Sequence, residues 1–225
     1  VTVALAAGSA SGFAAIGGVE NVTGGNGDDV LAGDTLQLNA ASGRKVGEIL
    51  LDFLIDAIAS LRGQTERPFL VLMIGDGHQR ERLLRRIDEL KLAGHFRLLG
   101  AVPPEEMAIY YRLGELFLFA SKSETQGMVI LEAMAAGLPV VAVRSSGIDD
   151  VVRQGYNGFK TPENIGQWCA RVILLLEDDR LREEMSGHAL LVAAEHSIEQ
   201  FAAGVKEVYG TVLAASRAQQ GGRWR

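Results

Sequence analysis

Two glutamates, Glu124 and Glu132, lie eight positions apart with Gly127 between them, a spacing that could bring both carboxylates to one site. Carboxylate oxygens accept hydrogen bonds from the hydroxyls of a sugar or a ribose. The amides and the dipole at the N-terminus of a helix that begins after Gly127 would favour a diphosphate. Together these groups predict a sugar-nucleotide site, and the alternative is a packing helix with two solvated acids.

The segment around the two glutamates has the pattern of a strand, a loop, a helix and a second strand. Residues 116–120 are apolar, residues 121–127 are polar, residues 128–136 are helix formers, and residues 140–143 are mostly β-branched. Gly137 tolerates the left-handed conformation of a helix C-cap, and Pro139 prevents the helix from continuing. This βαβ unit would place both carboxylates in the crevice at the carboxyl end of its first strand.

A longer string of residues carries a resemblance to a known family. It reads Ser123-Glu124-x-x-Gly127-x-x-x-Leu131-Glu132-Ala133-Met134-Ala135-Ala136-Gly137-Leu138-Pro139-Val140-Val141, and it resembles the Glu-x7-Glu signature of retaining glycosyltransferases of the GT-B fold, family 4 type. The order of the surrounding motifs is similar too: Gly75-Asp76-Gly77, Leu99-Gly100-x-Val102-Pro103, Tyr110-Tyr111, and Gly155-x-Asn157-Gly158. The resemblance covers residues 69–209, and more loosely the chain from Gly43.

The resemblance implies an α/β fold with a single Rossmann-like, doubly wound parallel sheet, the C-terminal half of a GT-B enzyme. It implies transfer of a glycosyl group from a UDP- or GDP-sugar with retention of configuration and without a required metal. Carried over by position, Glu124 would contact the sugar, Glu132 the ribose, and Arg44 the diphosphate as a cationic clamp. The amides of Gly127, Met128 and Val129 would bind the diphosphate, and further donor contacts are implied at Gly75, Gly77, Val102, Ser123 and Gln126.

One position departs from the family pattern. The family places a lysine five residues after the arginine, and here that position holds Ile49, while Lys45 lies on the wrong face of the turn. Loss of a cation that meets phosphate charge would cost on the order of several kcal/mol of transition-state stabilisation. From the resemblance we also expect this sequence to lack the first, acceptor-binding half. The sequence therefore predicts a donor-binding half that is inactive or weakly active alone.

Composition excludes several other classes. The chain has 225 residues, 48% of them hydrophobic, and a net charge of −6, so it has no basic domain for nucleic acid. No apolar run is long enough for a bilayer. The four histidines lack metal-ligand spacing, and Cys169 is alone, so it is expected to be a small buried apolar residue.

The first 36 residues form a different region, rich in glycine and small polar residues. Residues 24–32 fit the nonapeptide Gly-Gly-x-Gly-x-Asp-x-(apolar)-x and resemble the calcium-binding repeats of secreted RTX proteins, with Asp29 as the calcium ligand. A single repeat has too few ligands, so a flexible leader is the alternative. We expect a leader over 1–36, a donor domain over 37–216 and a flexible tail over 217–225.

The remaining predictions concern location, partners and helices. The transferase half favours the cytoplasm or the inner membrane surface, whereas the leader favours secretion; the chain lacks a recognisable signal peptide and looks like a fragment. The acceptor would be a glycan or a lipid, and the alternative functions are an RTX-type calcium-binding protein, or an epimerase or phosphorylase on the same fold.

Helices are predicted over 46–61, 79–92, 165–176, 180–195 and 198–215, the last with exposed apolar residues, and strands over 69–74 and 96–100.

Overall fold

A computed structural model describes residues 50–77, 79–122 and 127–221, with side chains to 212, and the backbone of four short strands nearer the N-terminus. The strands in the described part of the chain are β1 (Thr2–Leu5), β2 (Phe13–Gly17), β3 (Gln37–Leu38), β4 (Lys45–Val46), β5 (Leu70–Ile74), β6 (Phe96–Gly100), β7 (Phe117–Phe119), β8 (Val140–Val143) and β9 (Gly158–Thr161). The helices are α1 (Leu51–Arg62), α2 (Arg80–Glu89), α3 (Met107–Arg112), α4 (Met128–Ala135), α5 (Ile165–Glu177), α6 (Asp179–Glu195) and α7 (Ile198–Gly221). Short 3₁₀ turns lie at Pro104–Glu106 and Ser146–Ile148.

One seven-stranded sheet organises the domain, in the order β6-β5-β1-β2-β7-β8-β9. The pairs β5–β6, β7–β8 and β8–β9 are parallel, as the βαβ pattern predicts. β1 is antiparallel to β5, and β2 is parallel to β7. β3 and β4 pair only with each other in a separate antiparallel ladder.

Helices cover both faces of the sheet. Successive residues of a strand face opposite layers: Val71 and Met73 of β5 pack with α1, α2 and α5, whereas Leu72 and Ile74 pack with α4 and α6. A strand buried on both faces needs apolar residues at every position, which explains the continuous apolar runs in the sequence. The predicted Rossmann-like α/β fold is confirmed.

The start of α1 differs from prediction because of a contact that is distant in sequence, and the end of α2 differs because of backbone conformation. α1 begins at Leu51 rather than Val46, which lies in β4. The amide of Leu50 donates to the carbonyl of Ala120 at 3.1 Å, so the chain is held at the end of β7 before the helix starts. α2 ends at Glu89 rather than at residue 92, because Lys91 adopts a φ of 56°.

The final helix has the exposed apolar surface that the sequence predicts. It extends to Gly221, beyond the expected end at residue 215. Its exposed apolar residues are Ile198, Phe201, Val205, Val208, Tyr209 and Val212. Among the described helices, none is long and apolar enough to cross a membrane.

The Asn157-Gly158 pair has a structural role in the turn before β9. Asn157 is fully buried; its side chain accepts from the amide of Arg153 at 2.7 Å and donates to the carbonyl of Val151 at 2.9 Å. A Cβ at Gly158 would lie 2.2 Å from the carbonyl oxygen of Val140, so only glycine permits this approach of β9 to β8. The turn therefore aligns β8 and β9.

Candidate functional site

The carboxyl ends of the parallel strands meet at one edge of the sheet. Backbone hydrogen bonds join the segments there: the Gly75 amide donates to the Gly100 carbonyl at 2.7 Å, and the Arg144 amide donates to the Thr161 carbonyl at 2.8 Å. Ligands of open α/β sheets bind at this edge. The predicted residues Gly75, Gly77, Val102, Gly127, Met128 and Val129 all belong to segments that leave it.

The N-terminus of α4 supplies anion-binding groups at this edge. Gly127 has φ 64° and ψ 25°, a left-handed conformation that favours glycine, and its carbonyl accepts from the amide of Ile130 at 2.9 Å. The amides of Met128 and Val129 therefore precede the helical hydrogen-bond ladder. The first turn of α4 has no acidic residue, so no fixed negative charge opposes a phosphate there.

Glu132 lies one turn into α4, with its side chain exposed. Its Oε2 accepts a hydrogen bond from the hydroxyl of Tyr111 on α3 at 3.0 Å. Tyr111 is only 2% exposed, and its ring packs near that of Phe117, with the ring centres 5.9 Å apart. Burial, together with the charge of Glu132, raises the pKa of Tyr111, so the hydroxyl stays protonated and donates.

Tyr111 is a core residue, and its hydroxyl also has a polar partner that we did not predict from the sequence. The sequence gives only a weak indication of this hydrogen bond, namely the Tyr110-Tyr111 pair between β6 and β7. A tyrosine on an apolar helix face is usually a core residue, and only the packing of α3 against α4 shows where its hydroxyl points.

The glycine turn after β5 uses its own polar groups internally. The Gly75 amide bonds to Gly100, and the Gly77 amide donates to the Asp76 carboxylate at 2.9 Å. Val102 follows β6 and is partly exposed. The turn brings these residues to the carboxyl edge of the sheet, but the amides of both glycines already donate hydrogen bonds within the protein.

Several predicted residues lie outside the described part of the chain. These are the sugar-contacting Glu124 with its neighbours Ser123 and Gln126, the cationic Arg44, and the calcium ligand Asp29 of the repeat. Within residues 50–77, 79–122 and 127–221, no cluster of histidine, cysteine, aspartate and glutamate has the arrangement of a metal site. Cys169 is buried as expected, and burial raises the pKa of its thiol to about 11, which does not suit a nucleophile.

Basic side chains at this edge were not singled out from the sequence. Lys122 follows β7 and pairs with Glu163 after β9. Lys160 donates to the Asp149 carboxylate at 2.8 Å, and this hydrogen bond lowers the pKa of that carboxyl. Both lysines are therefore paired with carboxylates, so neither supplies the unpaired cation expected where the sequence has Ile49.

Comparison with known proteins decides the family. A model of the family described as glycosyl transferases group 1 matches residues 40–192. The chain belongs to the group 1 glycosyl transferases. The match includes the βαβ unit, the glycine turn after β5 and the Asn157-Gly158 turn, so it covers the elements that form the crevice.

Curated relatives of this group 1 glycosyl transferase are much longer than the shared region. It is 34% identical over 170 residues to a D-inositol 3-phosphate glycosyltransferase of Nocardia farcinica, covering 72% of this chain and 38% of the relative. It is 31% identical over 160 residues to an uncharacterized glycosyltransferase of Methanocaldococcus jannaschii, covering 71% and 44%. The alpha-monoglucosyldiacylglycerol synthase of Acholeplasma laidlawii is 29% identical over 138 residues, covering 61% and 34%. The chain thus spans less than half the length of these relatives.

Solved structures give the same fold. Anabaena Alr3699/HepE in complex with UDP-glucose matches with a TM-score of 0.60 at 26% identity, covering 71% of this chain and 44% of that one. TarM matches with a TM-score of 0.64 at 21% identity, covering 71% and 32%, and supports the fold alone. The group 1 glycosyl transferase thus has the Rossmann-like half of a GT-B protein.

Proposed function

We propose that this chain binds the sugar nucleotide donor of a retaining glycosyltransferase of the family 4 type. The observation that carries the proposal is the arrangement on α4. Amides that precede the helical ladder and an exposed carboxylate lie on one helix, at the carboxyl edge of a parallel sheet.

The two groups have the spacing that a nucleoside diphosphate requires. Glu132 lies four residues after Met128, or about 6 Å along the helix axis. This distance is comparable to the separation between the ribose hydroxyls and the phosphates of a nucleoside diphosphate. The diphosphate would accept from the amides of Met128 and Val129, and the ribose hydroxyls would donate to the Glu132 carboxylate.

The nucleotide we expect is a UDP-sugar, and a GDP-sugar is the alternative. Support for uridine comes from the similar solved structure that contains UDP-glucose. In this proposal Glu124 contacts the sugar and Arg44 neutralises the diphosphate, as the family resemblance implies.

We further propose that the chain alone transfers sugar slowly or not at all. Ile49 cannot supply the charge of a lysine at the diphosphate. Acceptor binding would depend on the part of the relatives that lies outside the match. The acceptor would be a glycan or a lipid, and the relative named alpha-monoglucosyldiacylglycerol synthase supports a lipid, and with it a membrane surface as the place of reaction.

Isothermal titration with UDP, UDP-glucose, GDP and UMP tests the binding proposal. We expect UDP to bind more tightly than UMP, because only UDP places a second phosphate at the N-terminus of α4. Glu132→Gln should weaken UDP binding about tenfold, since hydrogen bonds to a charged acceptor are the stronger ones. Glu207→Gln, the same change on the exposed surface of α7, is the matched control and should have no effect.

Two results would overturn the proposal. One is the absence of binding by any of the four nucleotides. The other is a Glu132→Gln variant that binds UDP as well as the unmodified chain does. A coupled assay of UDP release addresses the low activity separately, since rapid turnover by the isolated chain would contradict that part alone.

A further inference from the structure

We propose that Tyr111 positions Glu132 for ribose recognition by holding one of its two carboxylate oxygens. This inference rests on the proposed function, because it assigns a role to a residue behind the donor site. Tyr111 itself would not touch the nucleotide. It would determine which oxygen of Glu132 does.

The geometry shows a rigid donor and an exposed acceptor. The Tyr111 hydroxyl lies 3.0 Å from Oε2 of Glu132, while its ring is buried between α3 and the sheet beside Phe117. The ring cannot turn away without breaking this packing. Glu132 is exposed, so its second oxygen, Oε1, remains available to a ligand at the surface.

The pairing restricts a side chain that would otherwise be mobile. An exposed glutamate on a helix samples several rotamers, and binding a ligand would require it to lose that freedom. A fixed partner removes most of this entropic cost before the ligand arrives, which increases affinity. Because Tyr111 donates to Oε2, the other oxygen of Glu132, Oε1, is left to accept from the ribose hydroxyls.

A purely structural role makes a different prediction. If the Tyr111 hydroxyl only needs some acceptor as it leaves the core, its removal should change stability and leave ligand preference unaltered. If it positions Glu132, its removal should weaken recognition of the ribose hydroxyls alone. The ratio of affinities for UDP and 2′,3′-dideoxy-UDP separates the two roles, because the analogue keeps the base and the diphosphate but lacks both hydroxyls.

The experiment measures this ratio by isothermal titration in the unmodified chain, Tyr111→Phe and Tyr110→Phe. Tyr111→Phe should lose about fivefold to tenfold in affinity for UDP and little for the dideoxy analogue, so the ratio falls. Tyr110→Phe removes the same group from the adjacent residue and should keep the ratio. Thermal unfolding by circular dichroism checks that each variant is folded at the assay temperature.

Two further variants strengthen the test. With Glu132→Ala present, the side chain that Tyr111 would position is gone, so adding Tyr111→Phe should no longer lower UDP affinity. Replacing Tyr111 with p-aminophenylalanine keeps the ring and a donor in the para position and should keep the ratio near that of the unmodified chain. This second variant remains informative even where Tyr111→Phe fails to fold.

The outcomes distinguish this inference from the proposed function. If the unmodified chain binds UDP and Tyr111→Phe has the same ratio, the positioning role is wrong and the donor site stands. A low ratio with p-aminophenylalanine would also contradict the positioning role. If the unmodified chain does not bind UDP, the proposed function fails and the inference fails with it.

Discussion

At the amino edge of the sheet polar side chains bond to one another, whereas at the carboxyl edge a carboxylate is held facing outward. Arg182 at the amino edge is 12% exposed and pairs with Asp179 at 2.8 Å, and Asp179 also accepts from Arg67 at 2.8 Å. The side chain of the buried Asn157 bonds to Arg153, Val151 and Met134. These groups are satisfied by the protein and stabilise it.

The carboxyl edge is built differently. Glu132 has one oxygen held by Tyr111 and is otherwise exposed, and the amides of Met128 and Val129 precede the ladder of α4. Such groups contribute little to stability because water satisfies them equally well in the unfolded chain. The comparison indicates that mutations at the amino edge should change stability, and mutations at the carboxyl edge should change nucleotide binding.

The largest effect should come from Gly158→Ala at the amino edge. The added Cβ would lie 2.2 Å from the Val140 carbonyl oxygen, which is backbone of the adjacent strand and cannot move without breaking the sheet. We expect a loss of about 3 kcal/mol or more in unfolding free energy, measured by urea denaturation. Gly94→Ala, where nothing lies within 4 Å of the new Cβ, is the control. A loss below about 1 kcal/mol for Gly158→Ala would show that the clash is easily relieved.

The βαβ unit could be predicted from sequence because its signals are local. β8 occupies residues 140–143 as expected, α4 ends one residue before the expected position, and Gly137 has the predicted positive φ of 83°. Each boundary depends on glycine or proline conformation or on β-branched residues within the same segment. Local chemistry of this kind needs no knowledge of the rest of the fold.

Features that depend on distant contacts could not be predicted. The start of α1 depends on a hydrogen bond from Leu50 to Ala120, 70 residues away in the chain. The hydrogen bond from Tyr111 to Glu132 depends on how α3 packs against α4, which the sequence alone does not indicate. The place of Glu132 on the helix after Gly127 was therefore predictable, but its hydrogen bond from Tyr111 was not.

Gly127→Ala tests the comparison at the carboxyl edge. Alanine at φ 64° is strained by about 1 kcal/mol, while its Cβ would be at an ordinary 3.5 Å from the Gly147 carbonyl oxygen. Relaxing that strain would turn the amides of Met128 and Val129, so we expect UDP affinity to fall about tenfold in a titration.

A glycine at the other end of the same helix provides the matched control. Gly137→Ala places alanine at φ 83° and its Cβ 3.1 Å from the Ser186 hydroxyl oxygen, so it should destabilise the fold at least as much as Gly127→Ala. UDP affinity should stay unchanged, because Gly137 precedes β8 at the amino edge. Equal losses of affinity in the two variants would mean that α4 responds as one unit and that the two edges are not separable.

The smallest expected effect separates a structural ion pair from the ligand-facing groups at the carboxyl edge. The hydrogen bond from Lys160 lowers the pKa of Asp149 below its ordinary value of 3.8. The Lys160–Asp149 pair therefore stabilises the fold above pH 3.8, and this stabilisation is lost as the pH falls through the lower, folded-state pKa. The unmodified chain should therefore exceed Asp149→Asn in urea midpoint from pH 7 down to about 4, and the gap should close at lower pH. Lys160→Gln should lower the urea midpoint at pH 7 by most of the amount that Asp149→Asn lowers it. The double variant should be little less stable than either single variant. A gap that persists unchanged at pH 3 would mean that Asp149 stabilises the turn by some contact other than its charge. Unchanged UDP affinity in both single variants would show that this pair, although it lies at the carboxyl edge, is structural like the paired groups of the amino edge.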